Sequence, residues 1–88
     1  MLKIVNVPDK ATEKDLKSLL FDKNNQLQIY FRSIKIPREN PEKCLGYALI
    51  QLSSRIALDE LIRFIAFSQP VMHGNYLVGS IKEKKFNA

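Results

Sequence analysis

The sequence has few of the residues that build catalytic and metal sites. Its 88 residues include one cysteine, one histidine, three glycines and no tryptophan. A single cysteine, Cys44, excludes an internal disulfide framework and is typical of a reducing compartment. His73 lies in a predicted turn beside Gly74, which favours a surface residue over a catalytic group or metal ligand, and the scattered glycines form no phosphate-binding loop. We therefore expect no enzymatic activity, no cofactor and no metal.

Long apolar runs are also missing. No segment approaches the roughly 20 consecutive apolar residues of a membrane span. Residues 1–8 are too short and too interrupted for a signal peptide. A chain of 88 residues with 45% apolar content is long enough for one core, so we predict one small domain over residues 1–88 and no membrane partner.

The chain has fewer acidic than basic residues. Fourteen Lys and Arg residues against nine Asp and Glu residues leave a net charge of +5. An excess of this size favours polyanionic partners, because it steers them towards the protein and releases their counterions on binding.

One uncharged octet organises the predicted fold: residues 45–52, with the sequence LGYALIQL. Read as a strand, it places alternate residues on opposite faces. Small and aliphatic residues form the face expected to pack under helices: Gly46, Ala48, Ile50 and Leu52. The opposite face consists of Leu45, Tyr47, Leu49 and Gln51. This second face is too apolar for a purely solvated surface, so it predicts a contact with a partner.

Alternating side-chain character, with proline or turn residues at the ends, predicts three more strands, over residues 2–7, 27–36 and 76–82. The second strand is clearest over Tyr30 to Ile36, and the charged segment 37–43 after it reads as a loop. In the first strand, one side carries Leu2, Ile4 and Asn6, and the other carries Lys3, Val5 and Val7. In the last strand, Leu77, Gly79 and Ile81 share one side, whereas Tyr76, Val78, Ser80 and Lys82 share the other.

Two amphipathic helices are predicted between these strands. Thr12 is a suitable N-cap for a helix reaching about Asp22, with acids in its first turn. Residues 22–26 then form a loop. Ser53 or Ser54 caps the second helix, which ends before Pro70. Its core-facing residues recur with the helical period: Leu58, Leu61, Ile62 and Ile65.

The order of elements is therefore strand, helix, strand, strand, helix, strand. Right-handed crossovers place both helices on the same side of one sheet. This is the ferredoxin-like βαββαβ sandwich, an α+β fold with a four-stranded antiparallel sheet and two helices on one face. The other face of the sheet is left open, and the outward residues of its central strands are available to a partner.

The octet resembles the central-strand motif of RNA-recognition motif (RRM) domains. That motif has a basic residue, Gly, an aromatic, Gly or Ala, an aromatic, an aliphatic, any residue and an aromatic. Four residues match it in place: Gly46, Tyr47, Ala48 and Ile50. Three depart from it: Leu45, Leu49 and Leu52.

Residues 2–7 are similar to the shorter first-strand motif of the same family. Leu2, Ile4 and Asn6 match it, but Lys3 stands where the family has an aromatic residue. The approach to the last strand, residues 72–77, also resembles the family. The resemblance thus spans nearly the whole chain.

The resemblance implies binding of single-stranded RNA on the open sheet face, where family aromatics stack on bases. This chain keeps one of those rings, Tyr47, and has Lys3 and Leu49 at the other two positions. Two lost stacking contacts would cost roughly 2–6 kcal/mol, so we expect weak or atypical binding. The residues expected to contact RNA are Tyr47, Lys3, Leu49, Leu45, Val5, Tyr76, Arg32, Lys35, Lys82, Lys84 and Lys85.

A protein-interaction module on the same scaffold is the alternative. An apolar patch around Tyr47 would include Leu45, Leu49, Val5 and Val78, and such patches often mark protein contacts. Phe64 and Phe67 could form a second apolar surface on the helical side.

Location and context are expectations as well. The family resemblance and the lone cysteine favour an intracellular protein, with the nucleus ahead of the cytoplasm. Strand residues begin immediately after Met1, and the chain ends soon after the last predicted strand. We therefore expect the domain to be part of a larger protein.

Overall fold

The computed structural model of the chain describes residues 1–81. In chain order its elements are β1 (Leu2–Val5), α1 (Glu13–Phe21), a 3-10 helix (Asn25–Tyr30), β2 (Phe31–Lys35), β3 (Arg38–Asn40), β4 (Lys43–Cys44), β5 (Tyr47–Leu52), α2 (Arg55–Ser68), β6 (Val71–Met72), β7 (Asn75–Tyr76) and β8 (Val78–Ile81). The main sheet has four strands in the order β2-β5-β1-β8, and all its pairings are antiparallel. This order confirms the predicted ferredoxin-like fold, with β1 and β5 at the centre.

The core lies between one face of this sheet and the two helices. Leu2 and Ile4 of β1 and Ala48 and Ile50 of β5 are all 0% exposed. From the helical side, Leu16, Leu20 and Leu61 are also 0% exposed. The predicted stripe of α2 faces this core: Leu58, Leu61 and Ile65 are buried, and Ile62 is partly buried against them. The period-two and helical patterns therefore identify the same core from both sides.

Both helices begin where their capping residues predict. The Thr12 hydroxyl accepts the Asp15 N–H at 3.1 Å, and the Asp15 carboxylate accepts the Thr12 N–H at 3.4 Å, a reciprocal capping box. The Ser54 hydroxyl accepts the Ala57 N–H at 3.2 Å and starts α2. Caps of this kind contribute about 1 kcal/mol each.

The first strand is shorter than predicted, and the expectation that Val7 shares a face with Lys3 and Val5 is wrong. Asn6 has φ 67°, a left-handed conformation that ends the alternation. Val7 therefore turns into the core, where it is 4% exposed. Its N–H donates to the carbonyl of Gly46 at 3.0 Å. Gly46 has φ 84°, so β5 begins at Tyr47 rather than Leu45.

Three connections also differ from the sequence-based expectation. Residues 27–30, predicted as strand, lie in the 3-10 helix because Leu27 packs into the core instead of alternating. The segment predicted as a loop after β2 contains the β3–β4 hairpin. Tyr76, predicted to begin the last strand, belongs to the β6–β7 hairpin, whose turn residues His73 and Gly74 have φ 50° and 84°.

The β3–β4 hairpin is fixed to the segment that precedes α1. The guanidinium of Arg38 donates to the carbonyl of Asp9 at 2.9 Å and to that of Ala11. Cys44 is 4% exposed, and its thiol lies 3.5 Å from the carbonyl oxygen of Val7. Among residues 1–81, no cluster of three or more acidic, cysteine or histidine side chains is placed to hold a metal ion. No helix in that part of the chain is long and apolar enough to cross a bilayer.

Ala48 gives a direct test of the packing under the helices. Because its side chain is fully buried, we expect Ala48→Leu to overpack the core and lower the free energy of unfolding by ~1–3 kcal/mol. Chemical denaturation measures this loss. Ala66→Leu, on the exposed part of α2, is the matched control and should change stability by less than about 0.5 kcal/mol. Equal stability of Ala48→Leu and the wild-type protein would contradict the face assignment.

Candidate nucleic-acid interface

The open face of the sheet carries three rows of outward side chains, which the strand register defines. The first row is Ser33–Gln51; the second is Lys35–Leu49–Lys3–Ser80; the third is Tyr47–Val5–Val78. Neighbours within a row are on adjacent strands, which are about 4.8 Å apart. The rows therefore change from polar through mixed to apolar along the strands.

The third row forms an apolar end of the face. Val5 is 37% exposed and Val78 is 55% exposed, although both are large apolar residues. Tyr76 is 60% exposed and lies two residues before Val78, with the buried Leu77 between them. The Asn6 side-chain amide donates to the carbonyl of Tyr76 at 2.8 Å, which ties the β6–β7 hairpin to the end of β1.

A contact between two rows determines how the single retained ring is presented. Lys3 pairs with Leu49, and Tyr47 pairs with Val5, so Lys3 and Tyr47 are diagonal neighbours on one face. The Lys3 ammonium nitrogen lies 4.8 Å from the centroid of the Tyr47 ring, within the range of a cation–π interaction. The lysine at a ring position of the family motif thus covers part of the ring that remains.

The charge of the open face is positive. Its three rows contain Lys3 and Lys35 and no acidic residue, and Arg32 is exposed on the edge strand β2. Acids nearby are engaged elsewhere. The Glu13 carboxylate accepts the Ile36 N–H at 3.2 Å, and the Asp9 carboxylate accepts the Cys44 N–H at 3.2 Å.

The sequence matches no protein-family model and no curated protein, but the fold matches many solved structures. RNA recognition domains 1 and 2 of Sex-lethal from Drosophila melanogaster align with TM-score 0.75 and 17% identity over 94% of this chain and 49% of that one. The C-terminal RNA recognition motif of RBM19 aligns with TM-score 0.76 and 10% identity, over 99% of this chain and 78% of that one. The Rna15 RRM with bound RNA (GU) aligns with TM-score 0.71 and 13% identity, over 94% of this chain and 82% of that one. The chain has the RRM fold.

The RRM fold brings most of the predicted RNA-contacting residues to one surface. Tyr47, Lys3, Leu49 and Val5 lie together on the open face, as the alternation predicted. Arg32 and Lys35 lie on the adjoining edge strand. Tyr76 lies in the β6–β7 hairpin, beyond the apolar end, and lines a groove with Ile65 and Gln69 of α2. Leu45 is 53% exposed but precedes β5, where its N–H donates to the carbonyl of Pro37 at 3.0 Å. Lys82, Lys84 and Lys85 lie outside the described residues.

Sequence reasoning did not include four polar residues of this region in the predicted set. Ser33, Gln51 and Ser80 have side chains on the open face. The alternation of their strands contained the signal that could have found them. Asn6 was missed for a different reason: its left-handed φ removes it from the alternation, and only the folded chain brings it to the carbonyl of Tyr76.

The pairing of Lys3 with Tyr47 is measurable without any ligand. In a double-mutant cycle with Lys3→Met and Tyr47→Leu, we expect a coupling of about 0.5–1 kcal/mol in the free energy of unfolding. Lys35→Met replaces Lys3→Met in the control cycle. Lys35 also pairs with Leu49, from the other side of β5, but among the described residues the ammonium found over the Tyr47 ring is that of Lys3. The control should be additive within roughly 0.5 kcal/mol. Equal coupling in both cycles would show that the ammonium does not contact the ring.

Proposed function

We propose that this domain binds single-stranded RNA on the open sheet face, with Tyr47 as its one central stacking ring. The observation that carries the proposal is the position of Tyr47 among outward residues that include Lys3 and Lys35 and no acid. RRM domains bind RNA by stacking bases on this surface. The structural likeness to an RRM with bound RNA supports the same use of the face here.

The binding we propose is weak or atypical. Each base stacked on an aromatic side chain contributes ~1–3 kcal/mol, and Leu49 and Lys3 supply no ring. A base that stacks on Tyr47 also has to displace the Lys3 ammonium from its position 4.8 Å from the ring centroid. The displaced cation is then free to contact a phosphate. Part of the missing stacking is thereby replaced by charge, which makes the affinity strongly dependent on salt.

The remaining predicted residues enter the proposal in supporting roles. Arg32 and Lys35 contact the RNA backbone from the edge strand, and Tyr76 offers a second ring beyond the apolar end of the face. Leu45 and Val5 contribute apolar contacts. The basic segment Lys82, Lys84 and Lys85 belongs to the proposal as a further phosphate contact. An intracellular, mainly nuclear location is part of the same proposal.

A protein partner on the same face is the second candidate, and the third row of side chains favours it. Tyr47, Val5 and Val78 form an uncharged row, extended by the exposed Tyr76. An apolar row of this kind fits a protein interface better than a phosphate backbone. Its affinity would respond little to salt, in contrast to that of an RNA surface.

Replacement of Tyr47 tests the proposed RNA site. We expect Tyr47→Ala to weaken binding of short single-stranded RNA ~5–100-fold, because it removes the central ring. Fluorescence anisotropy with a pool of mixed-sequence RNA at low and moderate salt measures the affinity. Phe67→Ala is the matched control, since Phe67 is 87% exposed on α2, away from the sheet.

Unchanged RNA affinity in a folded Tyr47→Ala protein would reject the sheet as the RNA site. Amide shifts of the labelled wild-type protein then decide what occupies it. Absence of RNA-induced shifts at Lys3, Tyr47 and Leu49 would favour the protein partner.

Restoring a ring at position 3 tests the reason for weak binding. We expect Lys3→Phe to raise RNA affinity ~5–100-fold, because it adds one stacking contact and uncovers Tyr47. Lys3→Leu uncovers the ring but adds no other ring and removes the cation that contacts phosphate, so its RNA affinity should stay close to that of the wild type. The same anisotropy assay compares the three proteins. If Lys3→Phe and Lys3→Leu bind equally, the absent ring at this position is not what limits affinity.

A further inference from the structure

A second group of cations lies beside the sheet, on the helix that packs against its edge. Lys14 and Lys17 are three residues apart and therefore share one face of α1. They line a shallow groove that also includes Ser18, Phe21, Asp22 and Gln28. Neither Lys14 nor Lys17 was among the residues predicted to contact RNA.

Lys17 is held against the edge of the sheet. Its ammonium nitrogen lies 4.4 Å from the centroid of the Phe31 ring, at the start of β2. That ring is fixed in turn by an edge-to-face contact with Phe21, with centroids 5.6 Å apart. Because β2 is an edge strand of the sheet, Lys17 stands where the open face gives way to the helical side.

Arg32 and Lys35 continue this group onto β2. Both side chains are exposed, and Lys35 belongs to the same row as Leu49 and Lys3. The cations of the open face and those of α1 therefore lie on either side of the edge strand β2. We call the four residues Lys14, Lys17, Arg32 and Lys35 the edge track.

The edge track is not neutralised by ion pairs in the described part of the chain. The ion pairs found in residues 1–81 are Lys43–Glu39 and Arg55–Asp59, and neither includes a member of the track. Glu13 lies on the same side of α1, but its carboxylate accepts the Ile36 N–H. Asp22 is the acid that lines the α1 groove, so the track ends there.

We propose that α1 carries a second phosphate-binding site, formed by Lys14 and Lys17, for RNA that crosses the β2 edge from the sheet. This inference rests on the proposed function of the open face. A strand bound on Tyr47 and Lys3 passes Lys35 and Arg32 and reaches the two lysines of α1. Short RNA engages the sheet alone, whereas longer RNA also engages Lys14 and Lys17 of α1.

The length of the RNA provides the test. The double variant Lys14→Gln/Lys17→Gln is compared with wild type by anisotropy, using mixed-sequence RNA of about three nucleotides, which fills the sheet, and of about twelve. For the longer RNA, the slope of log affinity against log salt should fall by about 1.4, since each phosphate contact contributes about 0.7 on single strands. The affinity at 0.1 M salt should then fall on the order of 10–25-fold. Binding of the shorter RNA should not change.

A matched variant controls for net charge. Lys43→Gln/Arg63→Gln also removes two cations, from exposed positions on β4 and α2, and should leave both affinities close to wild type. Equal losses in the two double variants would overturn the α1 site and leave only a general charge effect. No loss in either would also overturn the α1 site.

The test separates this inference from the proposed function. If Tyr47→Ala weakens the short RNA but the α1 variant leaves the long RNA unchanged, the sheet site stands and the α1 site is rejected. If the long RNA depends on Lys14 and Lys17 while Tyr47→Ala has no effect, the sheet site is rejected. The second site would then be a phosphate contact of α1 that acts without the sheet.

Discussion

Burial of one face of the two central strands determines the rest of this molecule. Leu2 and Ile4 of β1 and Ala48 and Ile50 of β5 are completely removed from solvent under the two helices. Because side chains alternate along a strand, every residue between them is forced onto the opposite face. Lys3 and Tyr47 therefore lie on the open face, half-buried, as a consequence of core packing. The helices cannot cover them, so their chemistry is available to a partner.

The same alternation explains which parts of the fold were predictable from the sequence. It assigned Ala48 and Ile50 to the core and Tyr47 and Leu49 to the open face, and helical spacing assigned Leu58, Leu61 and Ile65 to the core. It failed at Asn6 and Gly46, where a left-handed backbone breaks the period of two. Asparagine and glycine favour such a conformation, but they do not require it. The inward turn of Val7 therefore could not be deduced from local sequence.

Features that join distant parts of the chain were beyond the sequence patterns. The contact of Lys3 with Tyr47 depends on the register of β1 against β5, which pairs Lys3 with Leu49. Likewise, the helical pattern of α1 shows that Lys14 and Lys17 share a face but not that Lys17 reaches Phe31. Composition gave the net charge, and only the folded chain shows where this charge collects. The sequence patterns therefore predicted which strand residues lie on the open face, but not the contacts between them.

The lysine at position 3 changes the physical character of the sheet surface as well as its number of rings. In the unbound protein its ammonium lies over the Tyr47 ring, an interaction of about 0.5–1 kcal/mol at exposed sites. In the proposed RNA complex, stacking a base at Tyr47 forfeits this interaction but releases the Lys3 ammonium for contact with the RNA backbone. A charge-assisted contact with phosphate offsets the forfeited term. Stacking and charge are thus coupled at one position, whereas an aromatic residue there would supply stacking alone.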